Sequence, residues 1–73
     1  MPPKLPLKAK LIIRRLKSLG FIQDHSSGSH IVLYHPERGR RAVVPLHGGD
    51  MPKGTVKAIL RESQITVREF LGE

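Results

Sequence analysis

The sequence predicts an α+β sandwich: a helix, three antiparallel strands and a second helix, both helices on one sheet face, plus a short terminal helix. Three observations carry this reading. Apolar residues recur with helical spacing over residues 7–19, short β-branched runs broken by Gly and Pro fill residues 21–45, and a second helical stripe spans residues 52–63. With 73 residues the chain forms one domain, spanning 1–73. That length is near the lower limit for a core that stabilises itself without disulfides or metal, and such cores supply only about 3–5 kcal/mol net. A partner subunit would help it.

In the first helix Ala9, Ile12, Ile13 and Leu16 fall on one face, and Lys8, Lys10, Arg14, Arg15 and Lys17 take the rest. Pro6 suits its first turn and Gly20 its C-terminal cap. Leu11 breaks the pattern by projecting into the basic face, where it would contact a partner or a second element. A short strand is expected at 21–24, a turn at 25–28 and a second strand at 29–35. Strand alternation places Ser29, Ile31, Leu33 and His35 on one side and His30, Val32 and Tyr34 on the other. The larger aliphatics should face the core, which leaves His30 and Tyr34 on the accessible face. Pro36 and Gly39 then mark a turn into a third strand at 40–44. In the second helix Val56, Ile59 and Leu60 line one side. Thr66 and Glu69 form a capping box for the terminal helix, with Ile65 and Phe70 as its hydrophobic staple.

The chain carries a formal net charge of +7, and the excess is unevenly placed. Lys4, Lys8, Lys10, Arg14, Arg15 and Lys17 precede residue 24 with no acid among them, whereas later residues are nearly balanced. This asymmetry favours a polyanionic partner over a merely solubilising face. The absence of cysteine excludes disulfide scaffolds and Cys-containing zinc sites. No apolar run approaches the roughly 20 residues of a membrane span, and a cytoplasmic protein is expected. The N-terminal stretch shares the acid-poor, basic composition of transit peptides, but it runs directly into the predicted core.

Several short segments, in order, cover nearly the whole chain: "LKSLGF" at 16–21, "GSH" at 28–30, "HP" at 35–36, "VPLH" at 44–47, "KGTVKAIL" at 53–60 and "ITVREFL" at 65–71. Together they resemble the HicA toxins, small mRNA interferases of type II toxin–antitoxin systems. The resemblance implies a double-stranded-RNA-binding-domain-like fold, α-β-β-β-α, in agreement with the periodicity. It further implies a ribonuclease that cuts single-stranded mRNA independently of the ribosome, through the histidine of "GSH", here His30, and a HicB-like antitoxin as partner. Many members carry a second histidine directly after the first; this chain has Ile31.

RNA can be cleaved without a protein nucleophile or metal, because its own 2′-hydroxyl attacks the adjacent phosphate. The protein must supply a base, an acid and positive charge, and an imidazole titrates close enough to neutral pH to be either of the first two. Candidates to assist or to bind phosphate are Ser29, Tyr34, His47, Lys53 and Thr55. Lys53 and the amides of Gly54 and Thr55 open a helix, where a phosphate could rest. Lys8, Lys10, Arg14, Arg15 and Lys17 are the expected RNA-binding residues, and Gly28 is expected to serve a tight turn.

Competing readings remain. His25, His30, His35 and His47 could be zinc ligands, but His30 and His35 are an odd number of positions apart on one strand and no HExxH motif or carboxylate cluster accompanies them. No metal and no cofactor are therefore expected, and His25 and His35 are expected at partly solvated turn edges. A non-catalytic double-stranded-RNA-binding module would share the fold and charge. A membrane-surface helix lacks Trp and Phe anchors. No DNA-reading motif is present.

Overall fold

A computed structural model of the chain describes residues 5–46 and 48–72, in the order α1 (Ala9–Ser18), β1 (Ile22–Ser27), β2 (His30–His35), β3 (Arg40–Pro45), α2 (Lys53–Glu62) and α3 (Val67–Leu71). The three strands form one antiparallel sheet in the order β1-β2-β3. This is the expected α+β architecture with its short terminal helix.

α1 has no acidic residue in its first turn and no side-chain cap at Lys8, so its local sequence does little to start it. Burial of Ala9, Ile12 and Leu16 in the core holds it instead. Its end is built with care. Gly20, at φ +102°, donates to the Lys17 carbonyl at 3.1 Å, and Phe21 donates to Leu16 at 3.1 Å. This is a Schellman closure, and the buried pair Leu16 and Phe21 provides its accompanying apolar contact. α2 ends in the same way through Gln64 and Ile65, which donate to Arg61 and Leu60 at 3.1 and 2.9 Å. Here the left-handed position is taken by Gln64, at φ 57°, where a side chain costs roughly 1–2 kcal/mol relative to glycine. At α3 the Thr66 side chain accepts the Glu69 amide at 3.0 Å, and Ile65 and Phe70 are both buried, as the capping box and staple require.

The first hairpin differs from expectation. β1 continues through His25, Ser26 and Ser27, and the turn contracts to Gly28 and Ser29. Strand pairing overrides the polar composition of that segment, because a register shift between Gln23 and His25 inserts an extra residue and carries the ladder on to Ser27 opposite His30. The second hairpin closes as expected: Gly39, at φ 64°, donates to the His35 carbonyl at 2.8 Å.

Leu33, Ala42 and Val44 bury the inner sheet face against Ile12, Leu16, Val56, Ile59, Leu60 and Phe70. β1 is not covered, and all six of its residues are exposed. His35 corrects the expectation of a solvated turn edge. It is buried, its ring packs edge-on against Phe21 at 5.1 Å, and its Nδ1 accepts the Arg38 amide at 3.1 Å. Its Nε2 meets the Leu19 carbonyl at 3.2 Å. Since Nδ1 accepts, the Nε2–H tautomer is the one that satisfies both partners. His35 thus ties the second hairpin to the end of α1.

Candidate functional site

His30 opens β2, one residue beyond the Gly28-Ser29 turn. The register aligns Ser27, His30 and Pro45 across the three strands, so they share the sheet face turned away from the helices. His30 is exposed there. The Leu46 amide donates to the Ser29 carbonyl at 2.7 Å, which holds the chain leaving β3 against the same turn. Ser29 Oγ lies 2.9 Å from His30 Nδ1. Nε2 has no partner among the described residues and is the nitrogen available for chemistry. When Nδ1–H donates to Ser29, Nε2 presents a lone pair; when Ser29 donates to Nδ1, Nε2 carries a proton. One contact therefore orients the ring for either half of an acid–base cycle.

The other expected site residues are distributed unevenly around this point. Tyr34 does share the open face, but it sits four residues along β2, about 13 Å away. Its ring lies under the Arg41 guanidinium at 5.4 Å, so it belongs to a different patch. Lys53 lines a groove with Lys8, Leu11 and Lys57 between the helices. The Thr55 amide already donates to the Pro52 carbonyl at 3.0 Å, which leaves it engaged. His47 lies outside the described residues, as does Lys4. Gly28 occupies the turn as expected, yet its φ is not among the positive values and a Cβ there would meet nothing within 4 Å. The turn itself does not require glycine. Ser27, which sequence reading assigned to a turn, is instead the cross-strand neighbour of His30.

The basic helix is divided by the fold. Lys10, Arg14 and Lys17 face a groove against β1, while Lys8 faces the opposite, inter-helical groove. Arg15 is turned inward: its Nε donates to the Phe70 carbonyl at the end of α3. It acts there as a cap on the terminal helix, a task invisible in the linear charge pattern. Leu11 is 42% exposed in the basic face and lines grooves there with Leu5, Leu7 and Leu71, so the second element beside it is α3.

At the far end of the open face, hydrogen bonding from Arg41, and then from His25, holds the Asp24 carboxyl below its usual range. Arg41 Nη1 donates to Asp24 at 2.9 Å, and His25 Nδ1 lies at 3.3 Å. This pairing anchors the bulge of β1. Among the described residues no three His, Cys, Asp or Glu side chains converge to hold a metal ion, and no helix is long and apolar enough to cross a membrane.

The fold and site define a small basic α-β-β-β-α-α domain with a solvent-facing imidazole at the start of β2, on the open sheet face, and a cationic first helix on the other side of the sheet. Residues 9–65 match a family described as the HicA toxin of bacterial toxin-antitoxin systems, and the chain belongs to that family. Comparison with curated proteins returns no match.

Proposed function

We propose that the chain is the toxin of a type II pair and an endoribonuclease that cuts single-stranded mRNA independently of the ribosome. The observation that carries this reading is the exposed His30, fixed through Nδ1 by Ser29 and left open at Nε2. In the proposed reaction His30 Nε2 takes the proton of the RNA 2′-hydroxyl as its oxygen bonds to phosphorus. The bond from phosphorus to the 5′-oxygen then breaks and that oxygen receives a proton from water, while the His30 imidazolium returns its own to solvent, leaving a 2′,3′-cyclic phosphate and a 5′-hydroxyl end. Lys10, Arg14 and Lys17, on the helix side of the sheet, supply the positive charge that holds the strand where it passes round the sheet end. A single positioned imidazole contributes on the order of 10²–10⁴-fold, enough for a slow enzyme whose target is the cell's messages.

A HicB-like antitoxin is the proposed inhibitor, in the cytoplasm, covering His30 and meeting the basic surface with acidic groups. The exposed apolar residues Ile22 and Val43 flank Tyr34 and Val32 on the same sheet face, which gives such a partner an apolar patch to bury. A purified complex with His30 fully accessible would contradict it.

The deciding experiment incubates the purified chain with labelled single-stranded RNA in EDTA, beside His30→Ala, and analyses the product ends. Cutting lost in the variant, with cyclic phosphate ends, supports the nuclease. The site offers one imidazole and no second described acid beside it, which is what a non-catalytic double-stranded-RNA-binding module would also show. Equal RNA binding by both proteins with no cutting would decide for that module.

A further inference from the structure

A groove of about 450 Å³ runs between α1 and the uncovered β1 edge. One wall is the cationic ridge of Lys10, Arg14 and Lys17. Their spacing of four and three residues stacks them on one helix face over about 10 Å, long enough for more than one phosphate of an extended strand. Helix stability accounts for Lys17, in the last turn, but not for Lys10, in the first turn, where a cation opposes the helix dipole. Among the described residues no acidic one lines the groove. Its floor is apolar, made by Ile13, Ile31 and Leu46, and Gln23 closes the outer side.

The groove lies on the helix side of the sheet, round the end of β2 from the face that carries His30. Ile31 follows His30 on β2, and the Leu46 amide is bonded to the carbonyl of Ser29 at 2.7 Å. A strand with one phosphate at His30 therefore has this groove as its nearest neighbour around the sheet end. Leu46 is 48% exposed, which is unusual for a leucine in a domain whose other described leucines are largely packed, Leu11 apart.

We infer that this groove receives the nucleotide next to the cleaved phosphate. The unpaired base lies on Ile13, Ile31 and Leu46, its polar edge meets the Gln23 amide, and the sugar–phosphate chain follows Lys10, Arg14 and Lys17. The occupant is single-stranded RNA, since a base already paired in a duplex cannot turn its face onto the floor. An acidic peptide would satisfy the ridge but would leave the apolar floor unexplained. This inference rests on the reading of the chain as an RNA-cutting toxin.

The test measures binding of fluorescent single-stranded oligoribonucleotides to the full chain carrying His30→Ala, with Leu46→Asp and Gln23→Ala each added. Both positions are exposed, and thermal melting checks that each variant folds. Val67→Asp, on α3, makes the same charge change at an exposed residue that does not line this groove but stands in the other cationic one, and so controls for a general loss of charge attraction. Leu46→Asp should weaken single-strand binding at least about 10-fold and Val67→Asp less than about 3-fold. Gln23→Ala should alter the preference among bases by about 5-fold and leave duplex binding unchanged. With His30 restored, Leu46→Asp should raise KM far more than it lowers kcat. Equal effects of Leu46→Asp and Val67→Asp would overturn the assignment, as would a Leu46 dependence found only for a protein partner. Leu46-dependent RNA binding by a chain that never cuts RNA would keep the groove and remove the nuclease reading instead.

Discussion

Strand β2 carries a histidine at each end, and the two have opposite fates. His30 is exposed with one neighbouring hydroxyl, whereas His35 is buried between Phe21, the Arg38 amide and the Leu19 carbonyl. Five positions separate them, an odd number, so alternation alone sends them to opposite sheet faces. What each face meets decides the rest. The helices cover the side of His35, and nothing in the described chain covers the side of His30. One side chain is thereby freed for chemistry and the other is committed to holding the fold, although the residue type is the same.

The comparison breaks most directly by alanine substitution at each end. His30→Ala should lower RNA cleavage by at least about 100-fold and leave the melting temperature unchanged. His35→Ala should destabilise by about 2–4 kcal/mol, since it opens a cavity and strands an amide and a carbonyl. In a domain with only a few kcal/mol of net stability, denaturant melts should show it partly unfolded. If both variants lose activity while both keep full stability, the division of labour is wrong.

Gly20→Ala sharpens the same point from the helix side. A Cβ there would lie 2.8 Å from His35 Nε2, at a backbone φ of +102°. The cost should reach about 2 kcal/mol or more, read as a fall in the denaturant midpoint. Gln64→Gly is the opposite case, because it relieves the left-handed strain at the end of α2, and should raise stability by about 1 kcal/mol. At the His30 end, Gly28→Ala should change stability by less than about 0.5 kcal/mol, since it meets open space without a positive φ. If that variant folds normally yet cuts RNA poorly, the glycine serves close approach of the substrate backbone.

The smallest effect concerns acid. A hydrogen bond from Arg38 holds the Glu69 carboxyl below its usual range and so joins the second hairpin to α3. A depressed folded value means that this contribution is complete above the ordinary carboxylate range and is lost as pH falls through the folded value. Because the pair is largely solvent-accessible, Glu69→Gln should flatten the acid limb of the stability profile only slightly, and less at high salt. An unchanged acid limb at low salt would show that the pair contributes nothing.

Local sequence reads well where the cause is local. The stripe of Ile12 and Leu16, the Gly20 and Gly39 turns, the Thr66 cap and the face assigned to His30 all follow from periodicity or from one residue's allowed backbone. Arg15 shows where that reading stops, since its guanidinium meets Phe70, 55 positions later in the chain. The polar run His25-Ser26-Ser27 likewise looked like a turn, and pairing with β2 made it strand. Parity had already placed His35 on the core face, so its burial was available in the alternation, but its two partners were not. The sequence by itself determined the element order, the open face of His30 and the basic character of α1. Only the tertiary structure decided which cations face a groove, which groups hold His35 and which turn is short, because these depend on contacts between segments distant in the chain.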